Sequence, residues 1–141
     1  MYVVQPPEPF NPGGTSGHPD VQEIRATVAT LVDELGADAL VELLQTFLAE
    51  APERLAEFRA LAGGSDQEGL RRAAHSFRGS VALFGATVLE TAVLRLEQAA
   101  RHRDLKVQPA AAEEIATAYG QIRPELEERL RSLSAGDSQA G

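Results

Sequence analysis

The segment Ala73–Gly85, AAHSFRGSVALFG, places a histidine among arginines and small residues. His75 lies close in sequence to Arg71, Arg72 and Arg78, and the chain has only two other histidines. A neutral imidazole nitrogen can attack a phosphorus centre, and guanidinium groups beside it can stabilise phosphoryl oxygens through planar, charge-assisted hydrogen bonds. The segment therefore carries the residue types that phosphoryl transfer through an imidazole requires.

The apolar residues around His75 recur at helical spacing and define one buried face of a helix. That predicted core face comprises Leu70, Ala73, Ala74, Phe77, Val81 and Phe84. Because a helix turns about 100° per residue, His75 should point into solvent, on a side that also carries Arg71, Arg72, Arg78, Gly79 and Ala82. The composition of this exposed face also fits an ordinary solvated helix surface, on which His75 would have no special role. A glycine inside a helix costs about 0.5–1 kcal/mol relative to alanine, however, so Gly79 indicates close approach by another surface.

The whole chain limits the function classes that remain open. It has 141 residues, no cysteine and a formal net charge of -8, which suits one domain and excludes disulfide scaffolds, thiolate nucleophiles and cysteine metal sites. The negative charge argues against general binding to nucleic acid or to an anionic membrane. No apolar run approaches the roughly 20 residues that span a bilayer. We expect a cytoplasmic protein without membrane insertion.

Helical periodicity fills the middle of the chain, between two ends rich in proline, glycine and small polar residues. We expect a flexible tail or linker over 1–19, a helical domain over 20–134 and a flexible tail over 135–141. Four substantial helices with short connections predict an all-α, antiparallel four-helix bundle with an additional short N-terminal helix. Pro52 falls inside the second of the five helices without breaking its phase, so we expect a kink there.

Capping patterns indicate where three of the helices begin. Asp20 is expected to cap the first helix. The pair Ser65 and Glu68 reads as a capping box for the helix that carries His75, and Thr87 with Glu90 reads as another for the next helix.

The stretch AHSFRGSVALFG resembles the signature of histidine-containing phosphotransfer (HPt) domains. In that signature a phosphoaccepting histidine is followed by an apolar residue, a lysine or arginine, a glycine and a small residue, and a second glycine ends the helix. The matching positions are His75, Phe77, Arg78, Gly79, Ser80 and Gly85. LVDELGADALVELLQTFLAEAPERLAEF is similar to the two preceding helices of the family, and LETAVLRLEQAAR to the following one. The resemblance covers roughly residues 31–103.

This resemblance implies a phosphocarrier, not an enzyme, with no ATP site, metal site or cofactor of its own. His75 would accept a phosphoryl group from the aspartyl phosphate of a receiver domain, or from a kinase, and pass it to the aspartate of a response regulator. Arg78 would stabilise the phosphate, at a position where the family more often has lysine. The expected partner-binding residues are Arg71, Arg72, Gly79, Ala82 and Glu97. The resemblance also places Mg²⁺ on the receiver, and we expect a monomer.

Other functions remain open at this stage. The stretch FGATVLETA is also similar to the phosphoacceptor domain of chemotaxis-type kinases. The dimerisation domain of a sensor kinase is disfavoured, because Ser76 follows the histidine where an acidic residue is usual. A helical adaptor that has lost phosphotransfer would leave His75 incidental. A metal-dependent hydrolase would need His18 or His102 to converge on His75, and His102 lies in the cationic run RHRDLK (101–106), which suits the C-terminus of a helix.

Overall fold

The computed structural model describes the backbone of residues 18–140 and the side chains of residues 18–136. It contains five α-helices and a short 3-10 turn, and the described residues include no strand, which confirms the all-α prediction. In chain order the elements are α1 (Pro19–Leu35), α2 (Ala37–Leu61), α3 (Gln67–Leu83), α4 (Thr87–Arg101), the 3-10 turn (Leu105–Val107) and α5 (Gln108–Ala140). Two of the helices, α2 and α5, continue through Pro52 and Pro124.

The ends of the domain differ from the expectation in length. Helix α1 has 17 residues, as many as α3, so it is longer than the short helix that we expected. The predicted linker over 1–19 lies outside the described residues except for its last two positions. Helix α5 passes the predicted boundary at 134, and the proposed tail over 135–141 overlaps its end. Both domain boundaries stay predictions.

Four of the helices contact one another in a closed order: α2 packs on α3, α3 on α4, α4 on α5 and α5 on α2. Helices α2 and α5 run in opposite directions, because Arg59 near the end of α2 pairs with Glu113 near the start of α5, whereas Phe47 contacts Tyr119 further along α5. Helix α1 contacts α2, α4 and α5. Helix α1 therefore packs on three of the four helices of this closed order.

A group of aromatic rings anchors α3 in the core. Phe77 is fully buried, stacks on Phe47 with ring centroids 5.6 Å apart and meets Phe58 edge-on at 5.9 Å. Phe84 packs on the same Phe47 ring at 5.2 Å. All six residues of the predicted core face are buried: Leu70, Ala73, Ala74, Phe77, Val81 and Phe84. The face assignment from helical spacing is confirmed, and it fixes which residues α3 presents to solvent.

The expected role of Asp20 as the cap of α1 is wrong. His18 occupies that position and accepts a hydrogen bond on Nδ1 from the backbone N–H of Asp20. The Asp20 carboxylate is buried instead against the start of α4, where it accepts from the N–H groups of Val88 at 2.9 Å and Leu89 at 3.0 Å. Helix α1 therefore supplies an acceptor that α4 lacks in its own sequence.

Both predicted capping boxes are also wrong. Helix α3 is capped by Asp66, whose carboxylate accepts from the N–H of Gly69 at 2.9 Å. Serine and aspartate are both favoured caps, so the sequence pattern does not choose between neighbouring positions. Helix α4 begins after Ala86 without a cap from its own side chains, because Asp20 provides the acceptor. The predicted stop at Gly85 is confirmed: it has φ +74°, and a Cβ there would lie 2.5 Å from the Thr27 hydroxyl.

A buried pair of amides closes the end of the molecule where α3 starts and α4 stops. Gln108 donates to the Gln67 side-chain oxygen at 2.7 Å, and Gln67 donates back at 3.2 Å. Gln67 also donates to the Gly64 carbonyl and Gln108 to the Ala99 carbonyl, while the Gly63 N–H donates to Gln108. The pair connects the α2–α3 loop, α3, α4 and α5 through one set of hydrogen bonds.

Candidate functional site around His75

His75 lies on the solvent side of α3, opposite the ring of Phe77, with its side chain 62% exposed. Gly79, one turn later, is also exposed, and a Cβ added there would meet no other atom within 4 Å. Ala82 continues the same exposed side of the helix. The imidazole therefore sits on a surface that another protein can approach without meeting a bulky side chain.

One buried carboxylate organises the polar groups around His75. Glu97 of α4, only 3% exposed, places Oε2 at 2.9 Å from His75 Nδ1. Its other oxygen accepts from Arg78 Nε at 2.8 Å. Arg101 approaches Oε2 at 3.8 Å. The ion pair with Glu97 holds Arg78 against the surface with 29% exposure, less than its position on the helix suggests.

The contact with Glu97 decides which imidazole nitrogen is available for chemistry. A carboxylate has no proton to donate, so the hydrogen bond requires the proton on Nδ1. In the neutral ring the lone pair then resides on Nε2, and Nε2 has no hydrogen-bond partner among the described residues. The arrangement presents a nucleophilic nitrogen to solvent and holds the ring in one tautomer, as a carboxylate beside a histidine commonly does.

Arg71 and Arg72, which were also expected to bind a partner, lie near His75 on α3 and form ion pairs with Glu68 instead of Glu97. Arg71 and Glu68, both on α3, form a two-bond ion pair with distances of 3.0 and 2.7 Å. Arg72 reaches the same carboxylate at 3.7 Å and is 67% exposed. These arginines extend the cationic surface of α3 toward its N-terminus.

A comparison with protein families matches residues 42–136 to the Hpt domain, well over half of the chain. The chain belongs to the Hpt domain family. Hpt domains are phosphocarrier modules of two-component systems, where they work with receiver domains and kinases. Comparisons with curated proteins and with solved structures gave no match.

In this Hpt domain the cationic surface is larger than the sequence indicates. Arg101 shares the Glu97 carboxylate with His75, and Arg103 lies with Arg71 around one cavity. Sequence reasoning assigned both Arg101 and Arg103 to the end of a helix. One signal in the sequence could have indicated a role for Arg103: it follows the C-cap of α4, a position where glycine is the usual residue.

Two further features of this Hpt domain concern metals and membranes. In the part of the chain that the structure describes, no group of histidine, aspartate and glutamate side chains converges closely enough to hold a metal ion. His18 and His102 lie at the start of α1 and the end of α4, so they do not join His75 in one cluster. None of the described helices is long and apolar enough to cross a membrane.

Replacing Glu97 with glutamine should lower the stability of this Hpt domain in a pH-dependent way. Burial alone would raise the pKa of Glu97, but hydrogen bonds from Arg78 and His75 outweigh it, so the pKa lies below its ordinary value. A carboxylate with a depressed pKa stabilises the fold above its unfolded pKa, and that contribution is lost as the pH falls through the folded pKa. We expect Glu97→Gln to lose about 1–3 kcal/mol at pH 7.

Urea unfolding of both proteins across the acidic range tests this expectation. The stability difference should begin to shrink as the pH falls below about 4.3, the ordinary pKa of glutamate, because the unfolded chain then takes up a proton on this carboxyl, and it should be lost once the pH falls below the lower folded pKa. Glu114→Gln, at an exposed ion pair with Arg95, is the matched control and should change stability little. A difference at Glu97 that is the same at every pH would show that charge plays no part.

Proposed function

We propose that His75 is the phosphoacceptor of a two-component phosphorelay. It accepts a phosphoryl group from the aspartyl phosphate of one receiver domain, or from a histidine kinase upstream, and delivers it to the aspartate of a response regulator. The observation that carries the proposal is the pairing of an exposed Nε2 with an Nδ1–H held by the buried Glu97. A helical adaptor that no longer transfers phosphate has no need of this arrangement.

The transfer step follows from that geometry. The Nε2 lone pair forms the new P–N bond while the bond between phosphorus and the aspartate oxygen breaks, and the aspartate leaves as a carboxylate. Positive charge then develops on the ring, where the Glu97 carboxylate stabilises it through Nδ1–H. The reverse sequence returns the phosphoryl group to a second receiver. No proton has to leave the imidazole in either direction.

Arg78 is suited to contact the phosphoryl oxygens during transfer. Its hydrogen bond to Glu97 uses only Nε, so both terminal nitrogens are left to donate to another acceptor. Arginine offers a planar set of donors to an oxyanion, whereas lysine offers a point charge. We therefore propose that the arginine in this position performs the role that lysine has in many relatives.

The proposal also covers the architecture of the domain, its oligomeric state, its location and its metal requirement. The contacts among α2, α3, α4 and α5 support an antiparallel four-helix bundle with α1 packed beside it. The domain would act as a monomer in the cytoplasm, and the Mg²⁺ required for transfer would be bound by the receiver. It would serve as a phosphocarrier without an ATP site of its own.

Phosphotransfer profiling tests the proposal directly. The purified chain is mixed with each receiver domain of its source organism, phosphorylated in turn, and labelling of the chain is followed over time. We expect rapid labelling from one or a few receivers, with a label that is labile in acid and stable in alkali, as a phosphoramidate is. The absence of labelling from every receiver and every kinase would contradict the proposal.

Gly79→Gln should separate helix stability from partner binding. Because nothing lies within 4 Å of a Cβ at Gly79, the substitution should stabilise the helix by about 0.5–1 kcal/mol. The longer side chain would stand where a receiver approaches, so the dissociation constant for the receiver should rise about tenfold, measured by titration calorimetry. Gly120→Gln, at another open helical glycine, should stabilise similarly without weakening binding. Equal affinities for the two variants would remove the clearance role of Gly79.

A further inference from the structure

A small polar cavity opens beside His75, between the start of α3 and the end of α4. Its volume is about 230 Å³, and it is lined by Gln67, Glu68, Arg71, Ala100, Arg101 and Arg103. Arg71 stands one helical turn before His75. Arg101 contacts the same oxygen of Glu97 that receives the His75 hydrogen bond. The cavity is therefore adjacent to the phosphoacceptor and continuous with its cationic surroundings.

The lining of this cavity is unbalanced in charge. Three guanidinium groups surround it, and Glu68 is the one carboxylate in the lining. Arg71 is already engaged with Glu68, and Arg101 makes a single long contact with Glu97. The Arg103 side chain makes no hydrogen bond or close ion pair within the described part of the chain, and it acts on Glu68 only at longer range, as the weakest of the charges that lower the pKa of that carboxyl. Three like charges around one concave space, in a chain of net charge -8, leave room for an added anion.

The backbone of Arg103 gives independent support, because it adopts a conformation that arginine disfavours. Its φ is +54°, and it is the one non-glycine residue with positive φ in the described chain. The N–H of Asp104 bonds to the Ala99 carbonyl and that of Arg103 to the Ala100 carbonyl, the helix ending in which glycine usually fills this position. Glycine would relieve the strain. The arginine side chain therefore contributes something that the fold itself does not need.

We propose that this cavity, centred on Arg103 and Arg101, receives an acidic side chain of the partner receiver domain. The inference rests on the proposed function, since it concerns the same docking event at His75. An aspartate or glutamate seated there would balance the excess positive charge and set the orientation of the receiver against the imidazole. Such contacts mainly increase the association rate and select among partners, and they weaken with salt.

The test compares Arg103→Gly, Arg103→Lys and the wild type in transfer from the receiver that labels the chain best. Arg103→Gly removes both the charge and the backbone strain. It should therefore raise the melting temperature by about 3 °C while lowering kcat/KM for transfer about tenfold at low salt. The rate at saturating receiver should be unchanged. Arg103→Lys keeps the charge and should retain most of the wild-type rate.

Salt and a matched control complete the experiment. The difference between Arg103→Gly and the wild type should disappear near 1 M salt, where the screening length falls to about 3 Å. Arg95→Ala removes an exposed arginine of α4 that pairs with Glu114, and it should transfer like the wild type. Equal kcat/KM for Arg103→Gly and the wild type at low salt would overturn this inference alone. Failure of every receiver and every kinase to label the wild type would overturn the proposed function as well.

Discussion

His75→Gln should abolish phosphoryl acceptance completely while the protein stays folded. The amide of glutamine can accept and donate hydrogen bonds, but it has no nitrogen lone pair that can attack phosphorus at a useful rate. The His75 side chain is 62% exposed, and its one polar contact within the described residues is the hydrogen bond to Glu97. Because the glutamine amide can also donate to that carboxylate, the free energy of unfolding should fall by no more than about 1 kcal/mol. The measurement is labelling by a phosphorylated receiver together with a urea unfolding curve.

The chain supplies its own controls for this substitution. His18→Gln and His102→Gln alter the other two histidines, which lie at the start of α1 and the end of α4, and both variants should label like the wild type. Labelling that persists in His75→Gln, or that disappears in His102→Gln, would place the phosphoacceptor elsewhere. Loss of the folded state in His75→Gln would mean that the ring contributes to packing, which a side chain that is 62% exposed should not do.

Asp20→Ala should be the most destabilising single change at a polar residue of α1, with an expected loss of about 2–4 kcal/mol. The carboxylate accepts from the N–H groups of Val88 and Leu89 at the start of α4 and is itself buried. Alanine leaves the buried N–H of Leu89 and the part-buried N–H of Val88 without this acceptor, and a buried group that loses its partner costs about 1–3 kcal/mol. The free energy of unfolding from urea titration measures the effect.

Two related substitutions separate hydrogen bonding from general effects on α1. Asp20→Asn keeps one oxygen that can accept, so it should lose less than alanine does. Asp33→Ala removes an exposed aspartate of the same helix and should lie within about 0.5 kcal/mol of the wild type. If Asp33→Ala and Asp20→Ala cost the same, the contact with α4 would not be the source of the stability.

The sequence was sufficient for the face of α3 because helical spacing alone decides it. Leu70, Phe77 and Val81 repeat at intervals that fit one side of a helix, and the histidine falls opposite them whatever the rest of the fold does. The role expected for Asp20 failed for the opposite reason. Its partners Val88 and Leu89 lie about 70 residues away, and a local capping rule considers only the next few residues.

At the site itself, the sequence could not predict which side chains of different helices contact each other. The residue types at His75 and Glu97 were visible, but their separation of 22 positions gives no distance. That distance depends on how α3 and α4 are aligned lengthwise. Arg101 and Arg103 were harder still, because positive charge at a helix end has an ordinary explanation in the helix dipole. Only the conformation of Arg103 and the cavity beside it give a reason to look further.

The paired amides of Gln67 and Gln108 act on that lengthwise alignment. Their side chains hold the start of α3 to the Ala99 carbonyl near the end of α4, two helical turns from His75. A slip of α3 along α4 by a single residue would break these bonds and move the imidazole away from Glu97 by about 1.5 Å. The pair thus fixes the lengthwise alignment of α3 and α4, and two buried, uncharged residues set the distance between His75 Nδ1 and Glu97 Oε2.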